Sequence, residues 1–457
     1  MEVPLTRQLT SFCHRLRYDE LSPEVVERTK YFFLDYLGVA VRGSLSDSSQ
    51  PVYRMLGRLG VWGVGSVLGR ADRAAFPYAA LANGTSAHSL ELDDTHQAGS
   101  IHLGVSVFSA ALAVAEELGA SGRDFIVSSV CGFEVAARLA MALRPKEHYG
   151  RGFHPTATCG ALGAAVAAAK LLGVSERQMT CAVGIAGSQA GGLLEFLADG
   201  AWTKRLHPGW AAFSGVHAAI LAREGFTGPA SVIEGRDGFL KAFSARPEPG
   251  QITDGLGQQY EILHTAVKPH ACCRYSQAPV DAVLTLAREH DLRPQDVERV
   301  TIGMLEAGIP VICEPPARKY RPQSVVDAQF SLPFAVAVAL VRRRAGLEEF
   351  TDDTLRDATV TDLVGRVGYE RDPGLETNYP REWPAWARIT LKDGSERRAH
   401  VRFPKGDPEN PLSWDELAGK YRSLAGAVWK REKVERVEES VRRLEEEDSL
   451  KAVAALF

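Results

Sequence analysis

From about residue 4 to residue 260, apolar and polar positions recur with the period of helices. Ser22-Pro23-Glu24 supplies a capping hydroxyl and a first-turn proline, and Val25, Thr29, Phe32 and Leu37 continue an inward face, so a helix is expected from there. Ser175 with Gln178 three residues on predicts a capping box before the apolar run that begins at Met179. The run 156–173 has Ala or Gly at most positions. Backbones can then approach closely, but each residue buries little area, so such a helix must be packed on several sides. Segments 103–119, 156–173 and 179–198 have a membrane-like texture. They are dominated by Ala, Gly and Ser, however, and Glu116, Lys170 and Glu195 interrupt them, which predicts buried helices of a large helical core.

The texture changes near residue 265. Val300, Ile302 and Met304 alternate as a strand. Two further alternating runs, 387–391 and 398–403, flank Lys392-Asp393-Gly394-Ser395, and Asp-Gly between such runs predicts a hairpin. A helix is expected over 327–343, with Pro-rich connections at 310–322 and 372–384. The pattern is that of a smaller α+β domain set before the chain turns helical again from Trp414. There Val434, Val437, Val441 and Leu444 form an apolar stripe too short for a coiled coil, which predicts a helix docking on the main body.

Composition narrows the picture without changing it. The 457 residues are 45% hydrophobic and 24% charged, as in an ordinary globular protein of two or three domains. A net charge of −4 leaves no basic footprint for nucleic acid and no polybasic membrane signal. Residues 1–20 lack the continuous apolar core of a signal peptide. Seven scattered cysteines with no C-x-x-C pair favour reduced thiols and a cytoplasmic protein.

Charge that could do chemistry gathers where helices begin. The block 83–96 and the following Ile101-His102-Leu103-Gly104 bring Glu91, Asp93, Asp94, His88, His96 and His102 to the entrance of an apolar helix. Charges are costly beside a packed core unless paired or used, so the block reads as a proton-transfer site; the simpler reading of Asp93 and Asp94 is as helix caps. Four more clusters stand out: Gly152-Phe153-His154, Lys204-Arg205-Leu206-His207, Lys268-Pro269 with Cys273-Arg274-Tyr275, and Asp327-Ala328-Gln329-Phe330-Ser331. Taken singly, Lys204 and Arg205 read as surface charges and Cys272-Cys273 as structural. The glycines of 60–65 lack the spacing and lysine of a phosphate loop, and no metal-ligand spacing is present. Together the clusters suit a substrate bearing several carboxylates, held by Lys and Arg, with a proton moved next to a carboxylate.

These motifs together resemble the MmgE/PrpD family over nearly the whole chain. The resemblance implies a mainly α fold, with a large all-helical domain built from 1–265 and 405–457 and an α+β lid domain over 266–404. It further implies a homodimer, and catalysis without metal or cofactor in a cleft between domain and lid. By motif, Asp94, Thr95, His102, His154, Lys204 and Lys268 are the expected catalytic residues; Glu91, Asp93, His96, His207, Arg274 and Tyr275 are expected to bind substrate. Glu91 and His96 stand where members often carry Asp and Trp, and Phe334 where a Tyr is common. The family includes 2-methylcitrate dehydratase, cis-aconitate decarboxylase and iminodisuccinate epimerase. The resulting expectation is a cytoplasmic lyase acting on a small di- or tricarboxylic acid, foremost a hydro-lyase of the 2-methylcitrate dehydratase type. The alternatives are an epimerase of a substituted succinate, a decarboxylase of the cis-aconitate type, or a catalytically inactive dimer that binds carboxylates. No nucleic-acid or membrane partner is expected.

Overall fold

The computed structural model describes residues 3–457. They divide into two compact units: residues up to Phe196 with 201–265 and 413–457, and residues 197–200 with 266–412. The fold is mainly α, with strands confined to small sheets.

In the larger unit, α1 (Pro23–Gly43) starts where Ser22 Oγ accepts the Val25 N–H at 3.3 Å. The inward face of Val25, Thr29, Phe32 and Leu37 is buried as the pattern requires. There follow α2 (Phe76–Ala87), α3 (Gly104–Leu118), α4 (Gly122–Leu143), α5 (Pro155–Leu171), α6 (Glu176–Gln189) and α7 (Thr203–Arg223). The Ala- and Gly-rich α5 lies at the centre, with α3, α4, α6 and α7 all packed on it. The capping box at the start of α6 forms: Ser175 N–H donates to Gln178 Oε1 at 3.0 Å and Gln178 N–H to Ser175 Oγ at 3.3 Å.

Helical periodicity overreaches in three places. Trp62–Ser66 and Arg73–Ala74 form a two-stranded ribbon in the glycine-rich stretch near 60–65. Residues 226–264 run mostly as turns and single helical turns, because their many Gly and Pro punctuate any longer helix. The segment expected as one helix over 179–198 stops at Gln189. Gly192 then has φ 143°, in a position where an added Cβ would lie 2.4 Å from Ala157 Cβ. Among the described residues, the helix long and apolar enough to cross a membrane is α4, a segment the membrane-like texture did not flag; its apolar window is 94% buried inside the unit.

The smaller unit carries α8 (Gln277–Glu289), β1 (Val297–Met304), α9 (Leu332–Arg342), β2 (Val367–Arg371), β3 (Ala385–Leu391) and β4 (Glu396–Val401). The sheet order is β2-β1-β3-β4, with β1 parallel to β2 and the other pairs antiparallel. Val300 pairs with both Val367 and Ile389, and α8 covers β3 and β4. The Asp-Gly turn forms with Gly394 at φ 83°, although β4 begins two residues earlier than its alternation suggests. The helix expected over 327–343 is broken. Val325–Gln329 ends at Phe330, and α9 starts afresh with Ser331 Oγ accepting the Phe334 N–H at 3.1 Å. Pro333, which has no N–H, begins a helix rather than continuing one.

The chain rejoins the larger unit at 413 rather than 405. Lys405 N–H donates to Asp281 Oδ2 at 2.7 Å and Val267 N–H to the Gly406 carbonyl at 2.9 Å, which keeps the intervening loop with the smaller unit. Then α10 (Trp414–Ala425) packs on α1, and α11 (Arg431–Arg442) buries Val434, Val437 and Val441, with Leu444 just beyond. All seven cysteines are free thiols.

Candidate active site

The site of the larger unit is set by a close helix crossing. α2 and α7 meet at Gly84 and Gly209: a Cβ on Gly209 would lie 2.3 Å from the Leu81 carbonyl oxygen, and one on Gly84 would lie 2.7 Å from Gly209 Cα. This contact brings the first turn of α7, with Lys204 and His207, against the polar segment that follows α2. Two further helix entrances complete the frame. Asp94 accepts the N–H of Leu103 at 3.2 Å and of Gly104 at 3.0 Å, tying the segment to the start of α3. His154 stands at the N-cap of α5, its N–H donating to the Gly192 carbonyl at 3.0 Å.

Four imidazoles converge there. His88, His102 and His154 have ring centroids 4.8, 5.9 and 6.3 Å apart, and His207 lies 5.2 Å from His154. Asp93 Oδ2 bridges two of them, 2.7 Å from His88 Nδ1 and 3.1 Å from His102 Nδ1. His102 Nδ1 also lies 2.7 Å from the Asp94 carbonyl oxygen, which fixes the proton on that nitrogen and leaves Nε2 as the acceptor of the neutral ring. Thr95 Oγ1 is 3.3 Å from the same nitrogen. His154 and His207 share one hydrogen bond between their Nδ1 atoms at 3.0 Å. The His102 side chain retains 12% exposure whereas that of His88 has none, so His102 is the more accessible of the two on Asp93.

Lys204 and Arg205, which singly read as surface charges, are buried. Lys204 Nζ donates to the Glu91 carboxylate, and Glu91 holds φ 56°, the left-handed region that few side chains adopt. Arg205 donates to Ser48 Oγ at 3.1 Å, and burial lowers its pKa against the opposing pull of Glu91 and Asp47. Burial is also the largest influence on the histidines. It brings His88 to about 3 and His207 to about 4, with Lys204 adding to both, and holds His154 well below its ordinary value with help from His207 and Lys204. Asp94 is raised to about 7, by burial first and by adjacent Asp93 second, while the N–H groups of Gly104 and Leu103 oppose the rise. Burial and Lys204 therefore favour the neutral forms of His88, His154 and His207. An arriving polyanion favours their charged forms and draws protons in.

The remaining expected residues are placed as follows. His96 is spent on structure: its Nδ1 accepts the Gly99 N–H at 3.1 Å and its Nε2 faces Glu261 Oε2 at 3.0 Å, within a fully buried ring. Asp94 is a helix anchor, the simpler of the two readings available from sequence. Lys268, Arg274 and Tyr275 belong to the smaller unit. There Lys268 is buried, Arg274 ion-pairs with Asp407 and lies 5.6 Å over Trp383, and Tyr275 stacks on Trp383 at 4.2 Å. Phe334 is buried in the same unit with its ring 5.8 Å from Phe350. His88 was counted in the charged block from sequence but given no role of its own. The available signal was its place five residues before Asp93, across the end of α2. His88, His102 and His154 come from three elements and bring ring nitrogens within 4.8 Å of one another.

The MmgE/PrpD N-terminal domain matches residues 7–252 of the chain, and the MmgE/PrpD C-terminal domain matches residues 270–446. The cis-aconitate decarboxylase-like protein oryM of Aspergillus oryzae is 30% identical over 477 residues, covering 99% of this chain and 97% of that protein. A cis-aconitate decarboxylase of Aspergillus terreus is 29% identical over 462 residues, with 96% and 92% covered. The cis-aconitate decarboxylase of Mus musculus is 27% identical over 467 residues, with 99% and 93% covered.

Proposed function

Because the chain belongs to the MmgE/PrpD family, we propose that it is a lyase that decarboxylates an unsaturated tricarboxylic acid of the cis-aconitate type. The observation that carries this reading is similarity along almost the full length of both chains to proteins named for that reaction, which favours the decarboxylase alternative over the hydro-lyase expected first. The imidazole cluster beside Lys204 and Arg205 supports it chemically.

In this reaction the carboxylate on the allylic carbon leaves as carbon dioxide. Its bonding pair becomes the new C=C bond, and the former π pair takes a proton at the carbon α to a retained carboxylate. One proton is consumed per turnover, so the site must deliver an acid to carbon. His102 is assigned this role: Asp93, 3.1 Å from its Nδ1, stabilises the imidazolium, and Nε2 is left to carry the proton in transit. His154 and Lys204 hold retained carboxylates and stabilise the charge that spreads onto them as carbon dioxide departs. The polyanion itself opposes the depressed proton affinity of buried His154 and favours its charged form.

Proton NMR in D₂O with cis-aconitate and 2-methylcitrate tests the reading. The expected outcome with cis-aconitate is loss of its single vinylic resonance, appearance of a terminal =CH₂ pair, and one deuterium in the retained methylene. Unchanged cis-aconitate with alkene formed from 2-methylcitrate would establish a hydro-lyase instead.

A further inference from the structure

We propose that Lys430, Lys433 and Arg436 form a binding site for a small phosphorylated organic anion, with no residue in common with the imidazole cluster. The three cations line a cavity of about 410 Å³ at the start of α11, a volume in the range of small-molecule sites. Nearby arginines are matched with carboxylates: Arg431 with Glu435 at 2.7 Å, Arg422 and Arg442 with Glu438, and Arg443 with Glu446 at 2.6 Å. Among the described residues, Lys430, Lys433 and Arg436 have no such partner, and Glu432, the one carboxylate of the lining, is ion-paired with none of them. Like charges three positions apart on a helix repel, as Lys433 and Arg436 do here. The positive charge that the fold leaves uncompensated is thus gathered on this cavity.

Lys433 Nζ lies 4.4 Å from the centroid of the Trp429 ring, so a buried indole holds the ammonium in place. Burial lowers the proton affinity of Lys433 and Arg73 lowers it further; an anion in the cavity opposes both. Arg436 supplies a planar fork for bidentate contact with phosphate oxygens, and the two lysines supply point charges. Val428 and Leu456 leave an apolar wall for the organic part. Binding here does not depend on the reaction proposed above.

Isothermal titration calorimetry of the purified full chain with inorganic pyrophosphate, and with citrate as the carboxylate comparator, tests the site. One equivalent of pyrophosphate is expected to bind, more tightly than citrate and less tightly as salt screens the cations. Lys433→Gln and Arg436→Gln should each weaken it about tenfold or more, the worth of one hydrogen bond to a charged group. Arg431→Gln, in the same turn but paired with Glu435, should leave it nearly unchanged. Pyrophosphate should also raise the thermal midpoint of the wild type but not that of the Lys433→Gln/Arg436→Gln double variant, whose midpoint without ligand should match the wild type. Pyrophosphate binding that survives both substitutions would overturn the assignment, as would an absence of saturable binding or tighter binding of citrate.

Discussion

A proton-donating imidazole and a buried carboxyl give the residue-scale tests. Replacing His102 with Gln removes the group proposed to protonate carbon, and a positioned acid contributes about 10²–10⁴-fold. Turnover of cis-aconitate followed by NMR should fall by about that factor while the protein still unfolds cooperatively; near-normal turnover would transfer the role to another group. Asp94 makes a test of pH. Its carboxyl is raised from 3.8 to about 7, so its protonated form stabilises the fold. That stability is complete below about pH 4 and is lost as pH rises through 7, each tenfold difference in proton affinity between folded and unfolded chain being worth about 1.4 kcal/mol. His88 and His207, depressed from 6.5 to about 3 and about 4, act oppositely: their stability is present above 6.5 and lost as pH falls, through about 4 for His207 and about 3 for His88. In Asp94→Asn, denaturant unfolding should show a smaller loss of stability between pH 5 and pH 7 than in wild type. Identical slopes would mean that Asp94 does not titrate in this range. The residue types of the site were legible from sequence, but their division of labour was not. His96 and His102 sit six positions apart in one charged block, and their neighbours, Glu261 for one and Asp93 for the other, set them in different surroundings.

At the scale of elements, the α2–α7 crossing is the joint on which the site depends. A methyl group at position 209 would meet the Leu81 carbonyl and Thr85 Oγ1, at 2.3 and 2.4 Å, so α7 must shift, and overpacking of this kind costs about 1–3 kcal/mol. Gly209→Ala should therefore lower the thermal midpoint and also reduce turnover, because Lys204 and His207 ride on the displaced turn. A stability loss with activity intact would show the crossing to be a packing feature alone. Element identity was largely readable where a local signal exists: Ser22-Pro23 at α1, the Ser175–Gln178 box at α6, Asp393-Gly394 between β3 and β4. It failed where the deciding contact is remote. The expected 327–343 helix breaks at Phe330, and the expected 179–198 helix ends where Gly192 presses on Ala157.

Over the whole molecule, the larger unit is discontinuous, and its C-terminal segment is part of its core. Tyr421 of α10 lies over Gly38 of α1, and the Lys420 Nζ reaches both Asp35 Oδ1 and the Leu92 carbonyl at 2.7 Å, close to the charged block. A chain ending at 412 should strip the cover from α1 and leave Asp35 without that lysine. The expected result is insoluble or molten protein, with loss of near-ultraviolet circular dichroism. A soluble truncated chain with native near-ultraviolet signal would show that α10 and α11 are dispensable appendages.

By itself the sequence determined the family, the mainly helical character, the β hairpin and the pool of His, Lys and Asp from which the site is drawn, because each is written in local spacing or in contiguous motifs. Only the tertiary structure decided which of those groups meet. Lys204 faces Glu91 across more than a hundred residues, His88 joins His102 and His154 from a third element, and Arg205 is buried rather than solvated. Burial, and the charges that burial brings together, set the proton affinities of these groups, and neither quantity is a property of any short stretch of chain.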